Sequence, residues 1–241
     1  MIRIVLTIGV ALLLAVPGSA KETKPQHPAS FSKAKRLAEK IHEGREVTIY
    51  CGCAYAQQGK KLVPDWDSCG YRPRNARTKK GKPNARAIRI EWEHVMPAWV
   101  FGHQRQCWQQ GGRKVCKKDP EFARMEADLH NLAPAVGELN GDRSNYRFAM
   151  IDGEPRAYGR CDFEVDFKGK RAEPPPNVRG DIARVYFYMR DRYRLRLSKQ
   201  QTQLLNDWNK QDPIDEWERE RDLRIERVQG TGNPYVRRKV P

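Results

Sequence analysis

Six cysteines, at positions 51, 53, 69, 107, 116 and 161, constrain this chain more than any other feature. All lie beyond a stretch that reads as an export leader. Arg3 gives a short positive start, Ile4 to Val16 is an apolar run too short to span a bilayer, and Pro17-Gly18-Ser19-Ala20 supplies the small residues a signal peptidase reads. Cleavage is expected after Ala20, leaving residues 21–241, enough for one domain with a real core or two small ones. An even cysteine count in an exported chain favours disulfides over free thiols. Cys107 and Cys116 bracket a short loop and are expected to pair. Direct pairing of Cys51 with Cys53 would be strained, so these two are expected to bond separately with Cys69 and Cys161. A structural zinc site would want two closely spaced ligand pairs, and only one Cys-x-Cys is present.

The rest of the chain reads as strands first and helices later, the pattern of an α+β fold. Ser32 to His42 has helical spacing, and Val47 to Tyr50 reads as a strand running into Cys51-Gly52-Cys53. Lys60 to Asn84 is a long loop-like stretch, expected to be stapled by Cys69; such spans usually signal function or added constraint. Ala87 to His94 reads as a strand, with Pro97 in the first turn of a following helix. Asp119-Pro120 opens a helix to about Leu129, His130 to Ala133 is extended, and Pro134 begins a helix through about Asp142. Phe163 to Phe167 alternates as a half-buried strand, and Glu173-Pro174-Pro175-Pro176 is a stiff connector. Three helices follow, at 182–194, 198–210 and 215–229, with Ser198 and Gln201 forming a capping box and Gly230 a stop. No later segment approaches the ~18 apolar residues of a spanning helix.

The stretch Ile90-Glu91-Trp92-Glu93-His94-Val95-Met96-Pro97 places two acids and a histidine inside an apolar run. In a strand, Glu91 and Glu93 share one face while Trp92 and His94 share the other. Glu93 and His94 can act on one atom only if the backbone turns there, which Pro97 makes reasonable. The pattern fits metal-assisted hydrolysis, the acid holding an ion while neutral histidine deprotonates water. Taken alone, it fits a salt-bridged structural cluster equally well. Cys107 to Cys116 sets Arg113 beside two glycines in a ten-residue loop that could present a guanidinium to a phosphate, or be an ordinary basic hairpin. Leu129 to Asn145 is dense in Asn, acid and Arg, which helix capping could also explain.

Four segments break this deadlock: IEWEHVMPAWVFGHQRQCWQQGGRKVC, DLHNLAPAVGELNGDRSN, RGDIARVYFYMRDRY and LSKQQTQLLNDWNKQ. Together they resemble the bacterial endonuclease I family of periplasmic or secreted nonspecific nucleases, built on the ββα-metal (His-Me finger) motif. The resemblance runs from about Ala34 to Val236 and implies that residues 21–241 form one domain. It implies cleavage of DNA, and of RNA, with a divalent cation: Mg2+, or Ca2+ or Mn2+. Carried over by position, His94 is the general base, Glu93 and Asn140 are metal ligands, and Arg113 steadies the phosphate. Glu126 is an acid near the site that orients the histidine. His130 and Asn131 are expected to be structural, and Trp92, Trp99 and Trp108 to be core or loop anchors. The products implied carry 5′ phosphates and 3′ hydroxyls, and the chain is expected to be monomeric. Family members often carry a further cysteine pair near the C-terminus; here no cysteine follows Cys161, which implies one staple fewer on the terminal helices. Reduction of the remaining bridges is expected to release the Arg113 loop.

The chain has 46 basic and 30 acidic residues, a formal +16, and loses only Arg3 with the leader, leaving +15. That excess attracts polyanions. A secreted polyanion-binding protein without catalysis would explain the charge, but not Glu93-His94 together with Arg113 and Asn140. A zinc hydrolase would want two or three converging histidines, and the five present include no HxxH pair.

Overall fold

The computed structural model describes residues 25–153 and 155–237; the expected leader, 1–20, lies outside them. The first helix, α1 (Phe31–Ile41), starts where the Ser30 hydroxyl accepts from the Lys33 amide. The expected strand at 47–50 does not form. Gly52, at φ 65°, reverses the chain inside Cys-Gly-Cys, so Val47 makes a single bridge to Ala54 and Tyr50 is carried into the core. Strand formation is deferred to a hairpin, β1 (Tyr55–Gln58) with β2 (Lys61–Pro64). Its two-residue turn begins at Gly59, whose φ of 60° suits the right-handed strand twist.

The stretch expected to be loop from Lys60 to Asn84 first forms β2 and a short helix, α2 (Trp66–Cys69), and only then opens into the long segment 70–89, which two devices constrain. Cys69 bonds Cys53, and the buried Glu138 accepts from the Tyr71 hydroxyl, the Arg74 and Asn75 amides and the Asn84 side chain. The other bridges are Cys107–Cys116, the expected pair, and Cys51–Cys161; Cys51 and Cys53 do bond separately, and the fold decides which takes Cys69 and which Cys161.

The centre of the molecule is β3 (Ile90–His94) and the helices after it: α3 (Ala98–Gly102), α4 (Gln106–Gln109), α5 (Gly112–Cys116) and α6 (Pro120–Glu126). β4 (Leu132–Val136) then pairs antiparallel with β3, setting Glu93 opposite Ala133 and His94 opposite Leu132. Pro134 therefore lies within a strand, not at a helix start. Its carbonyl accepts from Ile49 on the side away from β3, so the missing N–H falls outside the ladder. The helix waits until α7 (Gly137–Arg143), which completes a β-β-α unit.

A three-stranded sheet follows in the order β5 (Arg147–Phe148), β7 (Arg171–Glu173), β6 (Glu164–Asp166). The C-terminal helices are α8 (Arg179–Tyr193), α9 (Lys199–Gln211), α10 (Glu216–Gln229) and α11 (Pro234–Arg237). Ser198 caps α9 by accepting from the Gln201 amide, without the return bond that would complete the expected capping box; Asp215 caps α10, and Gly230 closes α10 in the left-handed region as expected. The fold is α+β. No described helix is long and apolar enough to cross a membrane.

Candidate active site

β3 has β4 on one side only, and a cavity of about 460 Å³ wraps its open edge and its C-terminal end. Side chains from both faces of the strand reach this space. Glu91, Glu93 and His94 line it together with Phe31, Arg86, Arg89, Arg113 and Asn140. The bend expected after His94 is held by Asn131, whose Oδ1 accepts from the Met96 amide and whose Nδ2 donates to the Met96 carbonyl. His130 is buried with Nε2 on the Thr231 carbonyl at 2.8 Å. Both residues thus serve the frame of the site. Trp92 is buried and Trp108 packs against the core, but Trp99 is 44 % exposed and stacks on His103, so it anchors no core.

His94 is almost enclosed. Its Nε2 lies 2.8 Å from the main-chain carbonyl of Glu126. A carbonyl only accepts, so Nε2 carries the proton and Nδ1 keeps the lone pair. Burial lowers its pKa to about 4, against the help of that carbonyl, so the ring is neutral at ordinary pH. The Phe31 ring lies over it at 4.6 Å. Glu126 thus meets the histidine through its backbone, while its buried carboxylate accepts from Arg113 Nε at 2.7 Å. Arg113 stands on α5, between the disulfide and Gly112.

The two glutamates of β3 differ sharply. Glu93 is buried, and its Oε1 accepts from the Tyr50 hydroxyl (2.7 Å) and from Arg143 Nη1 (2.9 Å). Burial pushes this carboxyl up to about 7, against the pull of Arg143 and Tyr50. Arg143 is itself fully buried, bonded also to the His94 and Val95 carbonyls and lying over the Phe148 ring at 4.4 Å. Glu91 accepts from Arg86 and Arg89, and its Oε2 also accepts from Asn140 Nδ2 at 2.9 Å. Burial works to raise its pKa, but the hydrogen bonds of both arginines outweigh it and hold the carboxyl below its usual range.

Sequence reasoning missed Tyr50, Arg143 and Phe31. Phe31 and Tyr50 reach the site from distant segments with nothing local to set them apart, whereas Arg143 lies on α7 with Asn140, in a stretch whose density of acid, Asn and Arg was the available signal. Among the described residues no cluster of three His, Cys, Asp or Glu side chains is arranged to hold a metal. The donors that do fit a cation are the two oxygens no described group claims, Glu93 Oε2 and Asn140 Oδ1. Such a pair of hard oxygens suits magnesium, which keeps waters and substrate oxygens in its remaining positions.

A family model described as Endonuclease I matches residues 30–239. An extracellular deoxyribonuclease of Aeromonas hydrophila is 50 % identical over 237 residues, covering 98 % of both chains. A periplasmic deoxyribonuclease of the same organism is 50 % identical over 232 residues, 96 % of this chain and 93 % of that one. An endonuclease-1 of Buchnera aphidicola is 46 % identical over 207 residues, 86 % of this chain and 80 % of that one.

Proposed function

The chain belongs to the endonuclease I family, and from that premise we propose that it cleaves DNA, and RNA, without sequence preference, with His94 as the base. It is a nuclease, secreted or periplasmic. One observation carries the mechanism: a neutral imidazole with a free Nδ1, two unclaimed hard oxygens and a guanidinium line a single pocket.

His94 Nδ1 takes the proton of a water, and the hydroxide attacks phosphorus as the bond to the 3′ oxygen breaks; that oxygen takes a proton from solvent water, and His94 returns its own to solvent. The Nε2 bond to the Glu126 carbonyl keeps the ring in this tautomer and stabilises the positive charge that proton uptake creates. Arg113, braced on Glu126, offers its Nη groups to a non-bridging phosphate oxygen. A divalent cation on Glu93 Oε2 and Asn140 Oδ1, Mg2+ or else Ca2+ or Mn2+, would supply positive charge to the phosphate and to the departing oxygen. Arg143 and Tyr50, both on Glu93 Oε1, hold the carboxylate so that Oε2 faces the pocket. Products then carry 5′ phosphates and 3′ hydroxyls. Phosphate contacts carry no sequence information, so nonspecificity follows.

The test incubates the oxidised mature protein with supercoiled plasmid and with total RNA, in magnesium and then in excess chelator, beside His94→Ala. Cleavage that needs the cation, leaves 5′ phosphates and falls by about three or more orders of magnitude in His94→Ala is expected. Ends bearing 3′ phosphates would overturn the mechanism. A mobility shift with intact nucleic acid would replace the nuclease by a polyanion-binding protein.

A further inference from the structure

Beyond the residues already given roles, we propose that Glu91 is a positioning residue: clamped by two arginines, it decides which atom of Asn140 faces the pocket. This inference rests on the reading of Asn140 as a cation ligand.

The oxygen and nitrogen of an asparagine amide are almost the same size, so packing alone cannot choose between its two orientations. Hydrogen bonding has to choose. Glu91 Oε2 accepts from Asn140 Nδ2 at 2.9 Å, which leaves Oδ1 as the atom for the pocket. In the opposite orientation the amide oxygen would face an ionised carboxylate that has no proton to share. A charge-assisted hydrogen bond would be replaced by repulsion.

The clamp also explains why the neighbouring acids of one strand face do different work. Glu91 Oε1 accepts from Arg86 Nε (3.1 Å) and from Arg89 Nε and Nη2 (2.8 and 2.5 Å). Its Oε2 accepts from Arg86 Nη2 (2.5 Å) as well as from Asn140. Five donors fill the roughly four acceptor sites of a carboxylate, so Glu91 has nothing left to offer a cation. Glu93 keeps its Oε2 open. The chain makes room for this arrangement with two glycines of α7. A Cβ at Gly137 would stand 2.8 Å from the Arg86 carbonyl oxygen and 3.0 Å from the Glu91 carboxylate; one at Gly141 would stand 2.2 Å from Arg86 Nη1.

The experiment is calorimetric titration of Mg2+ into the full disulfide-bonded protein without nucleic acid. Glu91→Gln can donate to Asn140 Oδ1 and so removes the preference. It should bind about 10–100-fold more weakly, the usual effect of removing a partner that orients a metal ligand, with Tm unchanged. Loss of a negative charge would by itself weaken binding, so Arg86→Gln is the deciding variant. Removing a positive charge beside the site predicts tighter binding from electrostatics, whereas loosening the clamp predicts weaker binding, by several-fold. Wild-type or tighter affinity in Arg86→Gln overturns the proposal, and this variant decides alone if Glu91→Gln fails to fold. Glu93→Ala separates the two levels. If it still binds Mg2+, the reading of the site itself fails; if it does not, only the role of Glu91 is at stake.

Discussion

At the scale of the residue, burial sets the chemistry. His94 and Glu93 are neighbours in sequence, yet burial moves their pKa values in opposite directions, to about 4 and about 7. His94 therefore stays unprotonated well into acid, and in the proposed mechanism the acid limb of the pH–rate profile is expected to follow Glu93. A cation and a proton compete for that carboxylate. Raising magnesium should accordingly move the limb to lower pH, and a limb independent of magnesium would show that another group controls it. His42 shows the same desolvation without a catalytic use. It is wedged between Trp92 and Trp217 at 5.5 and 5.3 Å, and burial, opposed only by the Arg45 main chain, lowers its pKa to about 3. Its folded pKa lies below the unfolded value of ~6.5, so the unfolded chain takes up the proton first. Stability from this residue is complete above ~6.5 and is lost as pH falls toward the folded value, amounting to about 2 kcal/mol at pH 5. His42→Phe should shrink the drop in urea-unfolding free energy between pH 7 and pH 5 by up to that amount. An undiminished drop would mean that His42 titrates as if exposed.

At the scale of the element, short pieces are held by cross-links rather than by their own propensity. α4 and α5 have four and five residues, far below the length at which a helix persists alone. The Cys107–Cys116 bridge closes their loop and leaves Arg113 on Glu126. By chain entropy such a loop contributes about 3 kcal/mol. The Arg113–Glu126 pair is half exposed on the arginine side and cannot replace that contribution. The double variant Cys107→Ser with Cys116→Ser should lower kcat/KM by ten-fold or more even at temperatures where circular dichroism shows the fold intact. Wild-type kcat/KM under those conditions would mean that the ion pair alone places Arg113. The ends at Ser198 and Gly230 were legible because capping is local: each acts within four residues of itself. The hairpin at 55–64 and the strand placement of Pro134 were not, because both depend on what lies across the ladder.

At the scale of the whole molecule, buried charge ties the C-terminal helices together where no cysteine does. Arg184 is fully buried and binds Glu218 through both carboxylate oxygens, along with Asp181, Asn209 and the Asp212 carbonyl. Further on, Asp222 accepts from Arg237 and from the Asn233 amide. The charge excess of the chain acts over its whole surface and needs no special geometry. Binding of duplex DNA by His94→Ala should weaken steeply with salt. If roughly six phosphates are neutralised, affinity falls about 10³-fold between 50 and 200 mM. A flat response would mean that the excess does not contact the backbone.

What the sequence determined by itself are the properties carried by short range or by pattern: the Cys107–Cys116 bridge, the caps at Ser198 and Gly230, the α+β order, and the β3 stretch with its acids and histidine. The tertiary structure alone decided how those side chains differ. Glu91 is saturated by arginines from the preceding loop, whereas Glu93 is held on one oxygen by Tyr50 and Arg143, 43 and 50 residues away. A carboxylate in water is the same at either position. Its partners and its loss of solvent give it a role, and both are supplied by the folded chain.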